Sequence, residues 1–190
     1  MGLHRSDIIP AGIVITAGLF ALWGEPGRLA LRWEQGAIAS GELWRLLTGH
    51  LVHLGVSHLV LNLAGLLLVW YLVGRDLKPL QWLAVCLASV ACIDIGFWVL
   101  NPEIVWYVGL SGVLHAMLVA GIVVAASDAR KDFVLLGVLV VAKLLYEQVA
   151  GALPGSDAAS GGPVIVDAHL YGAVSGALAG AIMRRLRLTR

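Results

Sequence analysis

Six stretches of the chain are almost continuously apolar, and short polar or glycine-containing segments separate them. The apolar stretches cover residues 8–23, 57–74, 80–100, 111–126, 133–150 and 168–183. A helix needs about 17–25 apolar residues to cross a bilayer, and several of these stretches lie at the short end of that range. Short spans suit a compact bundle in which local thinning of the bilayer is tolerated. The pattern therefore predicts an all-α membrane protein, with six transmembrane helices in a single domain over residues 1–190.

The composition agrees with a membrane location and excludes some partners. Of the 190 residues, 59% are hydrophobic and 13% are charged, whereas a soluble domain is about 45–50% apolar and about 25% charged. The net charge of +1 provides no basic face for phosphate groups, so nucleic acid is not an expected partner. Cys86 and Cys92 fall on different faces of one predicted helix, so neither a disulfide nor a metal site is expected there.

Lysine and arginine in the connecting segments predict the orientation, because these residues concentrate on the cytoplasmic side. One set of connections holds nine of them, namely Arg5, Arg75, Lys78, Arg130, Lys131, Arg184, Arg185, Arg187 and Arg190. The other set holds three, namely Arg28, Arg32 and Arg45. We therefore expect cytoplasmic N- and C-termini, with residues 24–56, 101–110 and 151–167 on the outer side. The first apolar run lacks a small-x-small cleavage site at its end, which favours a retained anchor over a signal peptide.

A hydroxyl and an imidazole begin two of the apolar runs on the expected outer side. Ser111 opens the fourth run and His169 lies at the head of the sixth. Polar groups are costly in hydrocarbon, so such residues are functional-site candidates, and a serine beside a histidine is the minimum for an activated nucleophile. Gly109 and Gly112 flank the serine and permit close approach of a substrate backbone. Each residue also has a structural interpretation, as a helix N-cap or as a buried imidazole bonded to a carbonyl.

A glycine stripe connects the two candidates. Gly172, Gly176 and Gly180 continue one helical face from His169, and a face without side chains allows a neighbouring helix to come close. We expect this close packing to bring His169 within reach of Ser111. The sequence identifies no carboxylate partner for His169, since the direction in which the Asp167 side chain points is unknown. A Ser–His dyad is therefore the simplest interpretation.

Other polar residues lie within or beside the second span. His58 and Asn62 are four residues apart and share one side of the helix. Asn62 is not expected to face lipid, because its amide would have no partner there; a hydrogen bond between helices is the alternative to a role in a site. His50 and His53 precede His58, but no His-Glu-x-x-His arrangement accompanies them, so no metal is predicted.

Three ionisable residues lie inside the third and fifth spans. Asp94 has no partner that the sequence identifies. Lys143 and Glu147 are four residues apart, and we expect them to pair or to extend outward to the membrane surface. A transport pathway would need more such groups along several helices, so a transporter is disfavoured.

Four motifs together resemble those of rhomboid intramembrane serine proteases. They are Trp44-Arg45, His53-x4-His58-x3-Asn62, Gly109-Leu110-Ser111-Gly112 and Ala168-His169-x2-Gly172-x3-Gly176. The motifs occur in the family's order and cover nearly the whole chain. Residues 43–53 and 109–115 are more particularly similar to the bacterial rhombosortase subfamily.

The resemblance implies roles for individual residues. Ser111 would be the nucleophile and His169 the general base and acid. His58 and Asn62, with the backbone N–H of Ser111, would form the oxyanion hole, while Trp44-Arg45 would anchor the first loop in the outer leaflet. His115 stands where the wider family often has tyrosine; we expect it to pack on His169, with a competing role as a base as the alternative.

The resemblance also implies a function. The protein is expected to be a serine endopeptidase without cofactor or metal, in the inner membrane of a bacterium, with its active site toward the periplasm. Its partners would be the lipid bilayer and membrane-anchored proteins whose C-terminal tail carries a Gly-Gly motif, an apolar span and a basic end. The alternatives are a general rhomboid protease with other substrates and a catalytically silent, helix-binding relative. The turn-rich residues 151–163 are expected to form a movable cap over the site, together with the end of the fifth span.

Overall fold

Six long helices coincide with the six apolar runs, in a computed structural model that describes residues 5–125 and 131–188. The long helices are α1 (Ile8–Leu22), α5 (Val56–Val73), α6 (Pro79–Val99), α7 (Ser111–Ala125), α8 (Lys131–Ala150) and α10 (Val166–Leu188). Shorter elements are α2 (Gly24–Leu31), β1 (Trp33–Glu34), α3 (Gln35–Ala39), α4 (Arg45–Thr48), β2 (Trp106–Tyr107) and α9 (Ser156–Ser160). The predicted end of the fourth run at Ala126, and the charges of Arg130 and Arg190, lie outside the described residues.

Within the described residues, length and composition identify three or four candidate membrane spans. Val56–Val73, Pro79–Val99 and Asp132–Ala150 are each long and apolar enough to cross a bilayer. The helices α1 and α2 form a fourth candidate that is bent by 117°. The bend occurs at Gly24, whose φ of +68° lies in the left-handed region that glycine adopts without strain. The α7 helix is apolar but has 15 residues, so the total of six spans stays a prediction.

The three clear candidate spans differ in how much of them the protein covers. In α6, 39% of the candidate span is buried within the protein, whereas in α8 the figure is 22%. Most side chains of α8 therefore face away from the other helices, and in a bilayer they would contact lipid.

The α7 helix lies at the centre of the bundle and packs most extensively against α10. A Cβ atom added to Gly172 would lie 2.0 Å from the carbonyl oxygen of Gly112, and one added to Gly176 would lie 2.3 Å from that of Ala116. No real Cβ tolerates such distances, so these positions of α10 require glycine. The stripe on α10 thus brings the two helix backbones into direct contact and fixes the beginning of α10 beside the beginning of α7.

The three connections expected on the outer side meet at one end of the bundle, where Leu54, Trp106 and Ile165 line one pocket. The strands β1 and β2 pair antiparallel, with Trp33 opposite Tyr107. The N–H of Gly109 donates to the carbonyl of Gly49 at 3.1 Å, which joins the second connection to the first. At the other end, the indole N–H of Trp70 donates to Asp7 at 2.9 Å, so the N-terminal segment packs against the end of α5.

The buried Arg45 side chain joins several parts of the first connection, residues 24–56, by hydrogen bonds. Its side chain is 8% exposed and donates to the carbonyls of Leu29 and Arg32 at 2.8 and 2.9 Å. It also donates to Glu42 at 2.7 Å. The neighbouring Trp44 is 52% exposed. In the Trp44-Arg45 pair, the arginine therefore forms hydrogen bonds within the connection, and the tryptophan presents an exposed aromatic ring. Contact of that ring with the outer leaflet stays a prediction.

Asp94 has a partner that the sequence did not identify. Its Oδ1 lies 3.0 Å from Nε2 of His50, and both side chains are buried. The two residues are 44 positions apart, so only the folded chain brings them together. The pair fastens α6 to the segment that follows α4.

Candidate active site

The turn before α7 holds Ser111 at the start of the helix. Gly109 has a φ of +130°, and a Cβ there would lie 2.9 Å from the ring of His58. Both the backbone conformation and the nearby ring therefore favour glycine at this position. The buried Tyr107 hydroxyl donates to the carbonyl of Gly109 at 2.7 Å. Burial raises the pKa of the Tyr107 phenol, which keeps this donor protonated at neutral pH.

His169 lies in the first turn of α10 and faces Ser111. Its Nε2 is 2.9 Å from Oγ of Ser111, a normal hydrogen-bond distance. Its Nδ1 is 3.0 and 3.1 Å from the two carboxylate oxygens of Glu147. A carboxylate only accepts, so Nδ1 carries the proton and Nε2 presents a lone pair to the serine hydroxyl. In this tautomer the imidazole can remove a proton from Ser111.

Glu147 is the residue of this arrangement that the sequence analysis missed. The expected pair with Lys143 exists, with Nζ 2.7 Å from Oε2. Of the two expected arrangements, pairing is the one observed, and Glu147 does not extend outward: it is 3% exposed and faces His169. The carboxylate left unassigned therefore comes from α8, 22 residues before the histidine. The one sequence signal for it was an acidic residue inside an apolar run, which is itself a mark of function.

His115 lies beneath His169, one turn into α7. The two rings stack with centroids 4.3 Å apart and planes inclined by 20°. Nδ1 of His115 donates to the carbonyl of Ser111 at 2.7 Å, and its Nε2 accepts from Lys143 at 3.0 Å. Both ring nitrogens are thus engaged away from the serine hydroxyl, and this geometry favours the packing role over the competing role as a base.

The cluster also has the donor set of a cation site. Ligand atoms of His115, Glu147 and His169 lie within 4.8 Å of one another. Nζ of Lys143 lies among these atoms, at 3.0 Å from His115, 2.7 Å from Glu147 and 3.4 Å from His169. A divalent ion would have to displace this ammonium group, so the residues present fit a protein cation better than a metal.

His58 and Asn62 direct hydrogen-bond donors toward the same region. Nδ1 of His58 accepts the N–H of Leu54 at 3.3 Å, so its proton is on Nε2, the atom beside Gly109. Nδ2 of Asn62 donates one hydrogen to the carbonyl of His58 at 3.0 Å and has a second hydrogen to offer. These two donors line the same cavity as Ser111 and His169.

The neighbouring His53 has a structural role, which its burial and its lack of hydrogen bonds indicate. It is 8% exposed, and neither of its ring nitrogens has a hydrogen-bond partner. Burial, together with His58 at a ring distance of 5.0 Å, lowers the pKa of His53 to about 3. A neutral ring packed edge-on against His58 helps to hold that side chain in place.

A cavity of about 320 Å³ connects these residues, and the last outer connection forms its roof. The roof consists of Leu153, Ser156, Ala159, Ser160, Pro163, Val164 and Ile165. The turn-rich residues 151–163, which were expected to form a movable cap, contain α9 and hydrogen bonds of their own. Oδ1 of Asp157 accepts the N–H of Val164 at 2.9 Å, and the buried Ser160 hydroxyl donates to the carbonyl of Gly162 at 2.8 Å.

A serine hydroxyl, an imidazole and a carboxylate in hydrogen-bonded series form the arrangement that serine hydrolases use, and here it lies in an apolar helical bundle. The profile of the Rhomboid domain family matches residues 40–186 of the chain. The chain therefore belongs to the rhomboid family and is a membrane protein.

Curated relatives carry the same family name. The chain is similar to the putative rhomboid protease YdcA of Bacillus subtilis (strain 168), with 28% identity over 111 residues, 55% of this chain and 56% of the relative. It is 36% identical over 100 residues to the rhomboid protease GluP of the same strain, which covers 53% and 19% of the two chains. It is 31% identical over 91 residues to the rhomboid protease GlpG of Enterobacter sp. (strain 638), which covers 47% and 32%. The chain thus spans about half or less of the length of these relatives.

Proposed function

We propose that the protein is an intramembrane serine endopeptidase in which Ser111 is the nucleophile and His169 the general base and acid. The observation that carries the proposal is the 2.9 Å contact between Oγ of Ser111 and Nε2 of His169, on the wall of a roofed cavity. Membership of the rhomboid family and the relatives named as rhomboid proteases support it. The geometry around the two residues explains how they would act.

The reaction follows from the positions of the protons. Oγ of Ser111 attacks the scissile carbonyl carbon while Nε2 of His169 takes the hydroxyl proton. The carbonyl oxygen becomes an oxyanion, for which Nε2–H of His58, Nδ2–H of Asn62 and the backbone N–H of Ser111 are the proposed donors. Such a donor typically contributes about 3–4 kcal/mol to the transition state. His169 then protonates the leaving amine as the C–N bond breaks, and a water molecule activated by His169 hydrolyses the acyl-enzyme.

The placement in the membrane is part of the proposal. Residues 1–190 would form one domain of six spans, with both termini in the cytoplasm and the site near the outer face of a bacterial inner membrane. The nine-to-three distribution of lysine and arginine supports this orientation. The three expected outer connections meet at the end of the bundle that holds Ser111, which supports a common side of the membrane for these connections and the site.

The proposed substrates are membrane-anchored proteins with C-terminal tails of the Gly-Gly, apolar span and basic end type. This part rests on the similarity of residues 43–53 and 109–115 to rhombosortases. The experiment uses the purified protein in liposomes with two membrane-anchored reporters that differ only in a Gly-Gly or a Val-Val pair before the apolar span. We expect cleavage of the Gly-Gly reporter at least about tenfold faster, since one wrongly sized group in a binding pocket changes the rate by about 10–200-fold.

The other two outcomes identify the alternatives. Equal cleavage of both reporters would indicate a general rhomboid protease with other substrates. Cleavage of neither reporter, together with retained binding, would indicate a catalytically silent helix-binding protein. Mass spectrometry of the new C-terminus would separate hydrolysis from transfer of the acyl group to another amine.

We also propose that residues 151–163, together with the end of α8, form a movable cap, because this connection roofs the cavity and a substrate backbone must pass it. A Cβ on Gly162 would lie 2.9 Å from Cδ1 of Leu54, so cysteines at these positions can join the cap to the first outer connection. In a Cys86→Ala, Cys92→Ala background, oxidation of Leu54→Cys, Gly162→Cys should lower turnover of an embedded reporter at least about tenfold, because closure traps the site. Reduction should restore it. The two single-cysteine variants are the controls, and unchanged turnover after complete cross-linking would contradict the cap.

A further inference from the structure

We propose that Glu147 is a positioning residue for the reaction: it holds His169 in the tautomer that accepts a proton from Ser111, and Lys143 holds Glu147 in place. This inference rests on the proposed function and goes beyond a Ser–His dyad. It assigns to α8 a part in the chemistry, in addition to the helices α7 and α10 that carry the nucleophile and the base.

The surroundings of His169 leave one candidate for this task. The ring is faced by His58 from α5, by Ser111 and His115 from α7, and by Lys143 and Glu147 from α8. Nδ1 of His169 needs an acceptor, and lysine has none. The acceptor nitrogen of His115 is already bonded to Lys143 at 3.0 Å. Among the described residues around the ring, Glu147 is therefore the one that can take the Nδ1 hydrogen.

Lys143 explains how a buried carboxylate persists at this position. An unpaired charge in a buried site is strongly destabilising, whereas a paired and hydrogen-bonded one is tolerated. Glu147 is 3% exposed, and the Lys143 ammonium lies 2.7 Å from its Oε2. The lysine side chain is itself 30% exposed and reaches the cavity. The ion pair thus provides one fixed bond to the carboxylate, and His169 takes the remaining acceptor capacity.

The two charges act on the reaction in opposite directions. When His169 receives the serine proton it becomes an imidazolium, which the carboxylate at 3.0 Å stabilises. The ammonium at 3.4 Å opposes the same charge from a greater distance. We therefore assign Lys143 to orientation of Glu147 and not to stabilisation of the imidazolium, and removing it should cost less than removing the carboxylate.

Lys143 also determines how the amide group would be oriented in a Glu147→Gln variant. In Glu147→Gln, the side-chain oxygen would turn to the ammonium group, because lysine only donates. The NH₂ group would then face Nδ1 of His169 and place the ring proton on Nε2. That atom would point at Ser111 as a donor and could not accept its proton. In soluble serine proteases, the same exchange of acid for amide lowers kcat by about 10⁴-fold through the wrong tautomer.

The test compares Glu147→Gln, Lys143→Met, the double variant and Glu147→Asp in the full chain, with kcat and KM measured on a membrane-anchored reporter in liposomes. We expect Glu147→Gln to lower kcat by about 10³-fold or more with KM changed little, since the tautomer affects chemistry and not binding. In the double variant the amide oxygen is free to face Nδ1–H, so kcat should recover at least about tenfold over Glu147→Gln. A structural role would not give this recovery, because losing a second polar group would only add damage.

Glu147→Asp keeps the charge and guards against misfolding of the amide variant. It should lower kcat by about tenfold or more through its shorter reach, again with little change in KM. A kcat within about threefold of wild type for either Glu147→Gln or Glu147→Asp would overturn the proposal, and so would a double variant no faster than Glu147→Gln. If Ser111→Ala instead cleaved the reporter as fast as the wild type, the proposed function itself would be overturned. Failure of the role of Glu147 and failure of the proposed function therefore give different results.

Discussion

Ser111→Ala should lower the cleavage of a membrane-anchored reporter by at least about 10⁴-fold, since loss of the nucleophile in a soluble serine protease lowers kcat by about 10⁶-fold. Alanine leaves His169 and the proposed oxyanion donors in place but removes the oxygen that lies 2.9 Å from Nε2. The fold should not change, because the turn at Gly109 and the bond from the Tyr107 hydroxyl to the Gly109 carbonyl do not involve the Ser111 side chain.

The measurement pairs turnover with covalent labelling. A fluorophosphonate probe should label the wild type at Ser111 and should fail to label Ser111→Ala or His169→Ala. Ser57→Ala is the matched control, since Ser57 also lies near the start of a helix but is exposed; this variant should cleave the reporter and be labelled like the wild type. Undiminished turnover by Ser111→Ala would refute the nucleophile, and full labelling of His169→Ala would refute the base.

Gly172→Ala should destabilise the protein by about 3 kcal/mol or more, at the upper end of the cost of overpacking a core. The added Cβ would lie 2.0 Å from the backbone carbonyl oxygen of Gly112. Backbone cannot rotate away as a side chain can, so α10 must move away from α7. That movement would also lengthen the contact between His169 and Ser111, and activity should fall along with stability.

Thermal unfolding in detergent, together with reporter turnover, checks this prediction. Gly12→Ala is the matched control, because Gly12 is also a helix residue but nothing lies within 4 Å of its would-be Cβ. Alanine there should be neutral or should stabilise by up to about 1 kcal/mol through helix propensity. Equal unfolding temperatures for Gly172→Ala and Gly12→Ala would contradict the backbone contact between the two helices.

The apolar pattern was sufficient to predict the long helices, because in a lipid solvent each helix satisfies its backbone hydrogen bonds internally. The approach of α10 to α7 could also be predicted, since a glycine stripe has few uses other than close packing. The end of the first run at Trp23 was predicted, but the helix α2 that follows the bend at Gly24 was not, because Pro26 and Gly27 are residues typical of turns.

Hydrogen bonds between polar residues that are far apart in the chain could not be predicted from the sequence. Glu147 had a satisfactory local partner four residues away in Lys143, so nothing in the sequence indicated a second bond to His169. Asp94 and His50 are separated by 44 residues, and neither shows a periodicity that would pair them. Contacts of this kind depend on how the helices are rotated about their axes, which the apolar pattern of nearly uniform helices leaves undetermined.

The exposure of α8 has a consequence for how the membrane could influence the chemistry. The nucleophile and the base lie on two helices locked together by backbone contact, whereas Glu147 belongs to a helix of which 22% of the candidate span is buried. Lateral pressure from lipids, or a transmembrane segment arriving from the side, would act directly on the exposed face of α8. Under the role proposed for Glu147, a shift of α8 would change the bond between the carboxylate and Nδ1 of His169 without breaking the backbone contact that joins α7 to α10.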